Sequence, residues 1–227
     1  MHRFFVEPGT VSGERLTLPG AIAHQVTRVL RLHDGERIVL LEDDGRETVC
    51  RLERGELAVE ERRPAVGEPR HRLTVCQALL KGDALEGVVQ HGTEIGIARF
   101  RLFVSERCVA RDPSPRRLER LRAIAREAAE QSERGMMPEI VGPVRLAEVL
   151  GPAAVVLYER NDGERLSAIP PPAEIVIGPE GGFSTGEIAA AREAGSAVVG
   201  LGPRILRSET VAVAAAAVIL SGAGDFA

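Results

Sequence analysis

Ile177-Gly178-Pro179-Glu180-Gly181-Gly182-Phe183-Ser184 and, further on, Leu201-Gly202-Pro203-Arg204-Ile205-Leu206-Arg207-Ser208-Glu209-Thr210 decide how this chain is read. Each stretch drains a short apolar run, 175–177 in the first case and 197–201 in the second. Each is followed by an Ala-rich segment of helical character. Two strand–loop–helix units placed back to back predict one pocket lined by the ends of neighbouring strands. Glycine and proline keep side chains out of the way, so backbone N–H and C=O groups can approach a ligand closely. Two ordinary turns would also use glycine; Pro-Glu-Gly-Gly in one loop and Ile-Leu-Arg-Ser-Glu-Thr in the other are the unusual content.

Working outward, residues 73–79, 100–104 and 153–157 read as further strands. The helix after Lys81-Gly82-Asp83 carries Leu85, Val88, Val89, Gly92 and Ile95 on one face. Pro115 opens a long arginine-bearing helix with a buried stripe at Leu118, Leu121, Ile124 or Ala125, Ala128 and Ala129. Ser184 and Glu187 have the spacing of a capping box, and Gly195 marks the end of that helix. Strands alternating with helices predict an α/β domain with a largely parallel sheet. Residues 1–70 read differently: short apolar runs at 3–6, 37–41, 48–52 and 57–60 broken by turns such as Asp43-Asp44-Gly45, with one helix at 21–29. Two prolines and a glycine in 62–69 predict a linker, hence two domains, 1–70 and 71–227.

Composition narrows the function. The chain of 227 residues has six Phe, one Tyr and no Trp, so aliphatic residues must fill its core. No apolar run approaches the roughly 20 residues of a membrane span, and Met1-His2-Arg3-Phe4-Phe5 lacks the pattern of a signal peptide. Cys50, Cys76 and Cys108 are odd in number and widely spaced, which predicts a reducing, cytoplasmic setting without disulfides or a zinc site. His91 and Glu94 are the nearest approach to a metal pair, so no metal is expected.

Net charge is −4, yet Arg101, Arg107, Arg111, Arg116, Arg117, Arg120, Arg122 and Arg126 face only Glu106, Asp112 and Glu119 within 101–126. Such a local excess can track a phosphate backbone or simply form a solvated helix face. Gly182-Phe183-Ser184-Thr185-Gly186 has the form of a nucleophile elbow, but that triad needs a histidine after the serine. The histidines are at 2, 24, 33, 71 and 91, so the hydrolase reading fails. No Gly-Lys-Ser/Thr phosphate loop and no G-x-G-x-x-G fingerprint is present.

The two Gly-Pro loops resemble the signature loops of the bacterial 16S rRNA uridine-N3 methyltransferases of the SPOUT class. The likeness extends to Lys81-Gly82-Asp83, Thr93-Glu94-Ile95-Gly96-Ile97, Ser105-Glu106-Arg107-Cys108, Glu130-Gln131-Ser132-Glu133-Arg134, His24 and Val29-Leu30-Arg31, and so covers essentially the whole chain. Val211, where the family usually has Ala, and His91, where Lys is common, depart from the pattern at its periphery.

The resemblance implies a C-terminal trefoil-knotted α/β domain, a small N-terminal PUA-like β-barrel used for RNA, and a homodimer. It also implies S-adenosyl-L-methionine as cofactor and 16S rRNA or the small ribosomal subunit as substrate. On that reading Leu157, Ile177, Gly178, Glu180, Gly181, Gly182, Leu201, Gly202, Ile205, Leu206 and Thr210 are the expected cofactor residues. Arg207, which never loses its charge, is expected to stabilise the uracil anion formed when N3 gives up its proton. Glu180 is either the proton acceptor or an anchor for its loop; Ser208 and Thr210 either cap the last helix or touch the ligand. His24, Arg28, Arg31, Arg116 and Arg120 are the expected RNA contacts.

Overall fold

The computed structural model describes residues 1–110, 113–161 and 163–226; Arg111 and Asp112 of the arginine-rich stretch lie outside the described residues. The chain forms two compact units, one made of 1–68 together with 126–137, the other of 69–125 together with 138–227.

In the first unit, β1 (His2–Phe5), β2 (Arg15–Thr17), β3 (Arg37–Leu41), β4 (Arg46–Glu53) and β5 (Glu56–Pro64) form one sheet in the order β1-β3-β4-β5-β2. Between β2 and β3, α1 (Gly20–His24) runs on as a π-helical turn to Val29. The strand periodicity of 37–41 places Ile38 and Leu40 in one apolar cluster with Phe4 and Leu57, while Val39 and Leu41 join a second with Phe5, Val49 and Ala129. Residues 62–64 correct the linker expectation. Arg62, Arg63 and Pro64 continue β5, paired with Thr48, Glu47 and Arg46. Proline is tolerated there because β2 reaches only Ala58, so the missing N–H of Pro64 faces no neighbouring strand.

Glu47 is buried in this unit between two guanidinium groups. Arg63 Nε donates to its Oε1 at 2.6 Å, and Arg3 pairs with its other oxygen and with Glu133. Burial alone would push the Glu47 carboxyl up; the hydrogen bonds and charges of Arg3 and Arg63 together outweigh it and hold the group below the usual carboxylate range.

In the second unit, six strands run parallel in the order β11-β9-β10-β6-β7-β8. They are β6 (Thr74–Ala78), β7 (Arg99–Val104), β8 (Glu139–Arg145), β9 (Ala154–Leu157), β10 (Glu174–Ile177) and β11 (Ala197–Val199). The helices are α2 (Ala84–Ile95), α3 (Pro115–Gln131), α4 (Thr185–Glu193) and α5 (Ser208–Gly222). Central strands covered on both faces read as continuous apolar runs, as Ile175-Val176-Ile177 does. Leu121 and Ala125 of α3 join the core of this unit, whereas Ala129 belongs to that of the first.

Strand β8 is not among the expected strands, and Gly142-Pro143 interrupts its pattern. It lies at the sheet edge, where proline costs little, and a Cβ at Gly142 would sit 2.4 Å from Leu102 O. Among the described residues, no helix is long and apolar enough to cross a membrane.

Candidate active site

The site begins with register. Leu157 at the end of β9 pairs with Ile177 of β10 on one side and with Val199 of β11 on the other. Three parallel strands thus end side by side, and the segments that leave them are bound to share one edge of the sheet. Those segments line a cavity of about 670 Å³, walled by Leu157, Ile177, Leu201, Leu206 and Val211 together with the glycines of both Gly-Pro loops.

The first loop is held from three directions. Gly182 N donates to Pro179 O at 2.9 Å, closing a turn in which Gly182 takes φ +66°, a conformation that favours glycine. Lys81 N donates to Glu180 Oε1 at 2.8 Å, and Arg107 Nη1 donates to Gly181 O at 2.9 Å. Ser184 then starts α4 through a reciprocal cap: Glu187 N donates to Ser184 Oγ at 3.2 Å, and Ser184 N donates to Glu187 Oε2 at 2.9 Å. The serine hydroxyl also donates to Glu106 Oε2 at 2.8 Å, which ties the start of α4 to the segment after β7. Phe183 is buried and stacks on Phe103 with ring centroids 6.4 Å apart.

The second loop joins the first through Ser208. This residue opens α5, with Arg207 rather than Ser208 or Thr210 in the cap position. Its hydroxyl donates to Gly178 O at 2.7 Å instead of capping the helix. Ile205 and Arg207 stand at the cavity rim; Ile205 is 81% exposed, and the Arg207 side chain is 87% exposed, 3.9 Å from Glu209. A Cβ on Gly202 would meet nothing within 4 Å, so this backbone borders open space.

Of the expected cofactor residues, the structure brings Leu157, Ile177, Gly178, Glu180, Gly181, Gly182, Leu201, Gly202, Ile205 and Leu206 to the cavity, with Arg207. Thr210 is exposed in the first turn of α5 and does not line it. Tyr158, Glu159 and Arg160 line it too and were missed. They follow the strand read at 153–157, and the rule that neighbouring parallel strands present their loops at one edge would have pointed to them. Glu159 Oε1 lies so near Gly182 that a Cβ there would be 2.9 Å away.

The expected RNA residues fall in both units. His24, Arg28 and Arg31 are exposed in the first, around the end of the α1 stretch. Arg116 and Arg120 are exposed on the first turns of α3 in the second. Arg120 pairs with Glu86 at 2.8 Å, whereas Arg116 makes no ion pair among the described residues. Arg117 is spent structurally, donating to Leu80 O and Gly82 O at 3.2 and 2.7 Å. Burial pushes the thiols of Cys50, Cys76 and Cys108 up, Cys50 to about 11, which makes them packing groups rather than nucleophiles.

Comparison with known proteins adds lineage to this geometry. The family described as the RNA methyltransferase domain matches residues 67–220. The chain belongs to that family. Among curated relatives in this RNA methyltransferase family, ribosomal RNA small subunit methyltransferase E of Synechocystis is 34% identical, covering 96% of this chain and 77% of the relative. The protein of the same name from Bacillus subtilis is 30% identical over 92% of each. The crystal structure of ribosomal RNA small subunit methyltransferase E from Neisseria gonorrhoeae bound to S-adenosyl methionine aligns with a TM-score of 0.87, at 29% identity over 97% of both chains.

Proposed function

We propose that this chain holds S-adenosylmethionine in the cavity at the strand ends and methylates N3 of a uridine in 16S rRNA of the small ribosomal subunit. One observation carries the reading. Both Gly-Pro loops and the Tyr158–Arg160 segment close on a single cavity, in a chain that aligns along 97% of its length with a small-subunit rRNA methyltransferase bound to that cofactor.

The residues present fit the group. The volume, about 670 Å³, is that of a small-molecule site. Leu157, Ile177, Leu201 and Leu206 offer apolar walls for adenine, and the glycine-rich backbone offers its polar edge hydrogen bonds. Glu159 puts a negative charge on the wall, suited to a cationic ligand. When bound, S-adenosylmethionine supplies an electrophilic methyl group.

The chain's own task is to orient the uracil and manage the N3 proton. The target base must leave any stack to reach the cavity. Arg207, at the rim, is the residue for the developing uracil anion; its side chain is largely in water until docked RNA displaces that water and strengthens its field. Glu180 already accepts a backbone N–H from Lys81, which favours the anchor role over the proton-acceptor role and leaves the N3 proton to pass to water at the open rim.

The finer architecture belongs to the same proposal. Residues 1–70 act as a PUA-like β-barrel that offers His24, Arg28 and Arg31 to RNA, completed by 126–137. Residues 71–227 act as a SPOUT domain whose C-terminal segment threads a trefoil knot. The knot is supported by Gly200, which donates to Glu164 O and accepts from Leu166 N, and by α5 packing against the turn at 166–168. Exposed Val218 on α5 and exposed Phe226 beyond it support a homodimer. The cytoplasm, where rRNA is made, is the proposed location.

The deciding experiment incubates the protein with S-adenosylmethionine and small-subunit rRNA, digests the RNA and weighs its nucleosides. A uridine heavier by one methyl group, co-eluting with 3-methyluridine, is expected. Methyl on ribose or on another base would overturn the assignment to N3, and no methyl at all would make the chain an RNA-binding module.

A further inference from the structure

We propose that Gln77 and Ser208 form a buried positioning pair that locks the two cavity loops to each other and to the central strand β6. This inference rests on the cofactor reading of the cavity for its consequence, though not for the lock itself.

Gln77 is wholly buried near the C-terminal end of β6, in register beside Ile177 of β10. It does not line the cavity. Its Nε2 donates to Ala78 O at 3.2 Å and to Ser208 Oγ at 2.9 Å. The backbone carbonyl can only accept, so the amide nitrogen must be the atom on that side. Ser208, also buried, has one proton to give, and it goes to Gly178 O at 2.7 Å. The direction of the chain is therefore fixed: Gln77 donates to Ser208, and Ser208 donates to Gly178. One hydroxyl joins the start of α5, where the second loop ends, to the carbonyl from which the first loop departs.

Gln77 Oε1 is buried without a hydrogen-bond partner among the described residues. A leucine of similar size would avoid that penalty in this apolar core, so the polar side chain is not explained by packing. What it adds is the bond to Ser208. Ser208 stands 131 residues from Gln77 and 30 from Gly178; tying both loops to the central strand this way sets the width of the cavity between them before any ligand arrives, which is pre-organisation.

The test uses the full chain and the variants Gln77→Leu, Ser208→Ala, Ser208→Thr and the Gln77→Leu/Ser208→Ala double. Hydrogen exchange on the unliganded protein reads the lock directly. Both single losses should speed exchange in 178–183 and in 202–207 together, and Ser208→Thr, which keeps the hydroxyl, should restore protection. Calorimetry with S-adenosylmethionine reads what the lock serves. Each single loss should weaken Kd roughly five- to tenfold, the worth of one net hydrogen bond, and the double should be little worse than either single. Independent effects that multiply in the double would refute a shared chain.

A lower melting temperature with unchanged Kd and unchanged loop exchange would reduce both residues to ordinary core groups and overturn the proposal. Should the wild-type protein bind no S-adenosylmethionine while the loops still loosen together, the lock stands and the cofactor reading falls. Protection of 178–183 that is untouched in Ser208→Ala sinks the lock whatever the protein binds.

Discussion

Replacing Glu180 with glutamine separates the two roles open to that residue, because the alternatives differ by orders of magnitude. Its Oε1 accepts the Lys81 N–H at 2.8 Å from an exposed position. Glutamine keeps an oxygen acceptor of the same reach but cannot take up a proton. A hydrogen bond to a charged group is worth about 1.5–3 kcal/mol and to a neutral one about 0.5–1.5 kcal/mol, so the exchange costs the loop about 1 kcal/mol. Exposure to water puts the real figure at or below that, a factor of about five or less. Loss of a general base costs about 10²–10⁴ in rate. The two windows do not overlap.

The assay is single-turnover transfer of a labelled methyl group into small-subunit rRNA at saturating cofactor, with cofactor affinity measured in parallel by calorimetry. The anchor role predicts that Glu180→Gln stays within about fivefold of wild type in both. Glu180→Ala, which removes the acceptor altogether, should weaken cofactor affinity further, by about tenfold. A Glu180→Gln variant that binds the cofactor normally but turns over a hundredth as fast would refute the reasoning and make Glu180 the base.

Arg207→Ala should lower turnover by about 10²–10³ while leaving cofactor affinity nearly unchanged, since the charge acts on the uracil anion; parallel losses would make Arg207 a loop anchor. Arg116→Ala should flatten the dependence of RNA affinity on salt by about 0.7–1 in log–log slope, the mark of one lost phosphate contact. Arg120→Ala should flatten it less, because Arg120 already pairs with Glu86; wild-type slopes in both would move the RNA surface to residues 1–70. Glu47 should make stability fall in acid. With its folded carboxyl held below the unfolded value, its contribution is fully present above about pH 4.5 and is lost as pH drops through the folded value. Thermal melts from pH 6 to pH 3 should show this loss, and Glu47→Gln should be less stable at pH 6 with a flatter profile.

What the sequence made legible was local. Ser184 and Glu187 sit three apart and cap α4 as their spacing says, and the short run read at 37–41 is realised residue for residue as β3. The Gly-Pro loops were found because each interrupts an apolar run. What stayed hidden depended on strand order. Tyr158, Glu159 and Arg160 reach the cavity because β9 lies between the later strands β10 and β11, and no periodicity within 153–160 encodes its neighbours. The bond from Gln77 to Ser208 is hidden for the same reason. Proline misled at Pro64, where the strand tolerates it at an end that needs no N–H.

The long helix α3 carries a consequence for how this protein comes off the ribosome. The core of the N-terminal unit takes Ala129 against Phe5, Val39, Leu41 and Val49, and the amide of Phe5 donates to Glu130. Neither partner exists when the fifth strand has just been made. At about 5–20 residues per second, the roughly seventy residues between Glu68 and Met137 keep that apolar face waiting for several seconds. During that interval the nascent sheet exposes the side that the helix will cover, and the strands of the second unit emerge beside it. The N-terminal unit therefore starts first but cannot close until residue 137 has been made, and a fragment ending at residue 70 should be sticky rather than autonomous.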